Sequence, residues 1–233
     1  MALRRMMLGL AMVSCLGGPA SAQAVAEPVL RSFNWFDHAA GTDVRSGCRA
    51  GTPTRIRLIY NAVWAEQVRA YELEVMADGT AHLSSMVWGE QGAASAISVS
   101  SAGDLLLPWR PKRGTRLLAA ADMSRLTAAL EQSAAFGPAP AQLTLHDADF
   151  WWSVASCRAG SWGFQAYHHP TDGFARASFA AVLFDLDPVA TPVNRPRALE
   201  PAELRRDPNR DPRRAQTTDR WRLEVGRDGV RPR

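Results

Sequence analysis

Long apolar runs are missing from this chain. The longest, Met6 to Leu16, is about a dozen residues, where a membrane-spanning helix needs roughly 20. The sequence also lacks the catalytic signatures that one chain can reveal. There is no Gly-x-Ser-x-Gly elbow, no His-Glu-x-x-His, no Cys-x-x-Cys, no phosphate-binding loop and no dinucleotide fingerprint. Ser-x-x-Lys is excluded because Trp109 occupies the serine position before Lys112, the single lysine. These absences remove particular enzyme families without removing enzymes as a class.

Lysine scarcity shapes the reading of charge. With 27 basic residues of which one is lysine, arginine clusters reflect coding bias on a solvated surface more readily than a nucleic-acid site. No nucleic-acid partner is expected. The balance is also uneven along the chain. Residues Gln23–Asp187 carry 13 basic and 16 acidic side chains, whereas Pro188–Arg233 carries 12 arginines against 7 acids. The overall pI of about 9.4 therefore belongs to the C-terminal part.

What the first 22 residues do contain is ordered like an export signal. Arg4 and Arg5 precede the apolar run, and the small-residue triplet Ala20-Ser21-Ala22 offers cleavage before Gln23. A second reading takes Met12-Val13-Ser14-Cys15 as a lipobox, with Cys15 lipidated and anchored. The first predicts a periplasmic or secreted protein with no transmembrane span. In that compartment Cys48 and Cys157, the two cysteines left after cleavage, are expected to form one disulfide.

Period-two alternation from Ile56 to Trp64 predicts a strand. Tyr71, Leu73 and Val75 then share one face, and Asp78-Gly79 separates them from Ala81, Leu83, Ser85 and Val87. A two-residue loop would pair Val75 with His82 and mix the faces. A three-residue loop, Ala77 to Gly79, pairs Val75 with Ala81 and Leu73 with Leu83, which predicts a type I turn with left-handed Gly79 in a bulge. A weak strand signal follows at Ile97–Val99. Leu105–Leu107 then precede Pro108 and a turn-forming Arg-Pro-Lys-Arg-Gly segment.

Further on, Asp122 is expected to cap a helix carrying Met123, Leu126, Leu130 and Phe136, stopped by Gly137-Pro138. Phe150–Cys157 and Trp162–His168 predict a second hairpin, and Phe174–Leu186 a second helix ended by Asp187-Pro188. Residues 23–52 show no regular pattern, only Phe33, Trp35 and Phe36 as anchors. Strands, helix, strands, helix predict an α+β domain over residues 23–187, an antiparallel sheet built from hairpins with two short helices on one face. Residues 188–233, rich in proline and arginine, are expected to be a mostly disordered tail apart from a short hairpin at Trp221–Val230.

Two polar clusters bracket the second hairpin: His146, Asp147 and Asp149 before it, and His168, His169 and Asp172 after it. Pairing would bring them to the same end, so His146, Asp149, His168 and His169 are the candidate metal ligands. Their ordinary role is to cap strand ends and turns, and their spacing matches no ligand motif. Neither a metal nor another cofactor is expected, and no catalytic residue is assigned. Trp64, Trp151, Trp152 and Trp162 could stack a ligand, but strand positions favour core packing with one partly exposed indole. Consecutive Trp151 and Trp152 must point to opposite faces.

The residues thus favour an exported envelope protein that binds a partner or ligand without catalysis. A metal-dependent hydrolase built on the His146 and His168 clusters is the alternative. A third reading is a structural component whose arginine tail makes weak contact with an anionic membrane surface.

Overall fold

The computed structural model describes residues 35–64, 66–89, 111–198 and 221–232. The export signal, Cys15, the strand signal at Ile97–Val99, Leu105–Leu107 and residues 199–220 of the expected tail lie outside the described residues. The core of the fold is a six-stranded antiparallel sheet of β1 Arg55–Ala62, β2 Gln67–Val75, β3 Ala81–Trp88, β4 Lys112–Leu118, β6 Phe150–Arg158 and β7 Ser161–His168. Across the sheet they lie in the order β4-β3-β2-β1-β6-β7. A smaller antiparallel sheet holds β5 Thr144–His146, β8 Arg222–Gly226 and β9 Gly229–Pro232, in the order β5-β8-β9.

The first hairpin has the expected register, Val75 opposite Ala81 and Leu73 opposite Leu83. Met76 N donates to Thr80 O at 2.8 Å and Gly79 N to Met76 O at 3.1 Å, with Gly79 at φ +84°. Like residues thereby stay on like faces. In the second hairpin Ala159 and Gly160 both have positive φ, +49° and +78°, the geometry of a two-residue turn that suits strand twist.

Alternation sorts β1 between two cores. Ile56, Leu58, Tyr60 and Ala62 face α3 (Ala120–Gln132) and α5 (Phe179–Leu186), which bury Met123, Leu126 and Leu130 and Phe179, Leu183 and Leu186 against them. Tyr60 stacks on Trp152 with ring centroids 4.7 Å apart. The other face is covered as well. There the helical segments α1 (residues 35–40) and α2 (Thr42–Ser46), together with the small sheet, bury Ile59, Trp151, Phe164 and Ala166. Trp151 and Trp152 are accordingly 0% and 1% exposed despite pointing in opposite directions. Trp64 and Trp162 are half-buried instead.

Several expectations need correction. Residues 23–52 are not uniformly irregular: Trp35, Ala39, Ala40 and Val44 form the buried stripe of two short helices broken at left-handed Gly41. Lys112–Leu118 is a strand rather than a turn. Only Leu118 of its seven residues is buried, and the strand lies at the sheet edge, so it shows basic residues in place of alternation. Asp122 lies in the first turn of α3, whose N-cap is Ala119, and the helix ends at Gln132 before Phe136. The second helix is split into α4 (Asp172–Ala175) and α5.

Part of the segment assigned to the tail packs on the domain. Val189, Thr191 and Asn194 are buried, and Tyr60 Oη donates to Asn194 O at 2.7 Å. The hairpin expected near Trp221–Val230 is present as β8 and β9, and β8 pairs with β5.

Two buried arginines hold these layers. Arg57 binds both carboxylate oxygens of Asp43 on α2 and Oε1 of Glu72 on β2, clamping the N-terminal helices to the sheet. Arg69 binds Asp187 at 2.6 Å and the carbonyls of Thr191 and Pro192 at 2.6 and 2.9 Å. The expected disulfide joins Cys48, just beyond α2, to Cys157 near the end of β6, with Cα atoms 5.5 Å apart. Among the described residues no helix is long and apolar enough to cross a membrane.

Candidate functional site

Strand β7 is an edge strand, and an open edge leaves backbone donors and acceptors to be satisfied. Gln165 performs that task with its own amide. Its Oε1 accepts from Ala166 N at 2.9 Å, and its Nε2 donates to Pro138 O at 2.9 Å and Ala134 O at 3.3 Å. The loop after α3 is thereby held beside the edge. Ala134 itself is left-handed, φ +55°, where the chain turns out of the helix.

Between this loop, β7 and α4 lies a cleft of about 420 Å³. Its floor is Gln165, Ala166 and Tyr167, all buried. Its apolar lining comes from Ala134, Pro138, Pro140 and Leu143, and its polar lining includes Ser133, His168, Thr171 and Arg176. A volume of this size suits a small molecule or a short peptide side-chain group.

The hydroxyls of the cleft are committed. Tyr167 Oη donates to Ser133 O at 2.8 Å, and burial pushes its pKa above the ordinary tyrosine range, so it stays neutral. Ser133 Oγ lies 2.7 Å from Ala129 O. Thr171 Oγ1 donates to His168 O at 2.6 Å and accepts from Phe174 N at 3.2 Å as the cap of α4. None is positioned as a nucleophile activated by an adjacent base.

The second hairpin pairs Trp151 with His168, and this brings the two polar clusters to one end, as the spacing predicts. His168 Nε2 lies 2.9 Å from Asp149 Oδ2. The convergence stops at that pair. His146 offers its carbonyl to Trp151 Nε1 at 2.9 Å, while the His169 ring sits edge-on to Phe150 and Phe174 at 6.0 and 5.2 Å. Among the described residues no three His, Cys, Asp or Glu side chains come together to hold a metal ion.

Arg176, Gln165, Tyr167 and Leu143 escaped the sequence reading. Gln165 carried the one usable signal, a polar residue between Phe164 and Ala166 in a strand that is otherwise apolar at its centre. Arg176 carried none, because arginine is too common in this chain to mark a site. No protein-family model matches the chain, and no curated protein matches its sequence.

Proposed function

We propose that this is an exported envelope protein, acting in the periplasm or outside the cell as a non-enzymatic binding module, and that the cleft along β7 is its ligand site. The observation that carries the reading is the cleft's composition. It combines apolar and polar lining residues over a buried floor, while its hydroxyls are tied into the fold and its imidazole is held by a carboxylate. That arrangement suits recognition better than bond cleavage. Export is supported by the N-terminal pattern and by a disulfide that an oxidising compartment would maintain.

The test is an amide NMR titration of the protein beginning at Gln23 with a library of small-molecule fragments. Shifts clustered at Ala134, Leu143, Tyr167 and Thr171 are expected. Shifts that cluster elsewhere, or none at all, would contradict a ligand site here. Stoichiometric zinc in the purified protein, lost in His168→Ala, would replace the reading with the metal-dependent hydrolase.

A further inference from the structure

The cleft is asymmetric in charge as well as in polarity. No aspartate or glutamate lines it, and beside the neutral Tyr167 its ionisable groups are Arg176 and His168. Arg176 is exposed, and among the described residues its guanidinium has no ion-pair or hydrogen-bond partner, although its backbone carbonyl accepts from Ser133 Oγ at 3.2 Å. Of the acidic residues on the neighbouring elements, two are engaged and one is absent from the lining. Asp149 holds His168, Glu131 pairs with Arg158 at 3.2 Å, and the exposed Asp172 does not line the cleft.

An arginine without an acidic partner among the described residues, in a lining that also holds two prolines, a leucine and an alanine, favours a ligand with one anionic end and an apolar body. Guanidinium recognises carboxylate through paired, charge-assisted hydrogen bonds. The apolar lining gains by covering hydrocarbon. We infer that the cleft takes a small organic carboxylate of short acyl or aryl-alkyl type, its carboxylate on Arg176 and its apolar body against Leu143 and the two prolines. This rests on the reading of the cleft as a ligand site.

The test separates the two claims. The protein beginning at Gln23 is titrated, by amide NMR, with hexanoate, 3-phenylpropanoate and 4-phenylbutanoate and with the neutral amide of each. At least one carboxylate is expected to shift Leu143, Thr171 and Arg176, with its amide about tenfold weaker. Arg176→Gln should remove that preference while the remaining spectrum stays unchanged. Equal binding of acid and amide in the cleft would overturn the carboxylate assignment and leave the ligand site standing. If none of the six compounds shifts cleft residues, the carboxylate assignment is overturned, and the fragment library decides whether the site survives.

Discussion

Arg69 and Asp187 stand 118 positions apart and meet inside the protein, Nη1 to Oδ2 at 2.6 Å, with side chains 1% and 3% exposed. Tyr71 Oη also donates to Asp187 Oδ2, at 2.7 Å. A buried pair of this kind is costly to break from one side, because the charge left behind has no water to solvate it. Asp187→Ala should therefore lower the unfolding free energy by about 3–5 kcal/mol. Urea denaturation measures it. A loss below about 1 kcal/mol, the scale of an exposed pair, would show that the site is hydrated.

Two turn glycines separate backbone strain from crowding. Gly79 has φ +84° and open surroundings, where an added Cβ would meet only the Ala120 methyl at 3.5 Å. Gly79→Ala should cost about 1 kcal/mol for the left-handed conformation. Gly160 has φ +78°, but there a Cβ would stand 2.6 Å from Ala50 N and 2.8 Å from Arg49 C, both backbone. Gly160→Ala should cost about 2–4 kcal/mol, since the 49–50 segment must move. Equal losses in thermal or urea unfolding would refute the close approach of the Gly160 turn to the 49–50 segment.

His38 makes acid stability a test of the N-terminal packing. Burial, followed by the charge of Arg57, lowers its pKa to about 3, and its Nε2 is 3.9 Å from Glu72 Oε1 with no hydrogen-bond partner among the described residues. The unfolded chain takes up that proton near pH 6.5, whereas the folded chain resists it until about pH 3. Stability from this group is thus complete above pH 6.5 and is lost on acidification at about 1.4 kcal/mol per pH unit. Asp43 adds a lower limb. Burial opposes its ionisation, yet the hydrogen bonds and charge of Arg57 hold its carboxyl below the usual range. His38→Gln should flatten the limb between pH 6 and pH 4 in pH-dependent urea unfolding. An unchanged slope would place His38 in water.

The Cys48–Cys157 bridge closes a separation of 109 positions and ties α2 to β6. Loop-closure entropy sets its contribution at up to about 4–5 kcal/mol. Cys48→Ser with Cys157→Ser should lose stability toward that limit, and hydrogen exchange should accelerate most over residues 35–48. Uniform acceleration across the sheet, with the N-terminal helices no faster than the rest, would contradict the staple.

Much of the sheet was legible because its signals are local. Alternation in β1 and the unmixed faces around Asp78-Gly79 determine strand and register within a few residues. The meeting of Asp149 and His168 was legible too, since hairpin pairing alone carries the two ends together. Other features depend on distant partners. Asp187 reads as a helix stop, and nothing near it announces Arg69. The helices at 35–46 are too short to show a period, and β4 lacks alternation because Leu118 is its one buried residue. The cleft draws on residues 132–143, 165–168 and 171–176, and of those that line it only His168 is a candidate site residue by sequence.

Intact mass combined with thiol labelling of the full chain expressed in a bacterial host tests export and oxidation together. The expected product begins at Gln23, is two hydrogens lighter than its reduced form and has no thiol open to maleimide under native conditions. A chain that keeps Met1 and labels at Cys48 and Cys157 would contradict both export and oxidation.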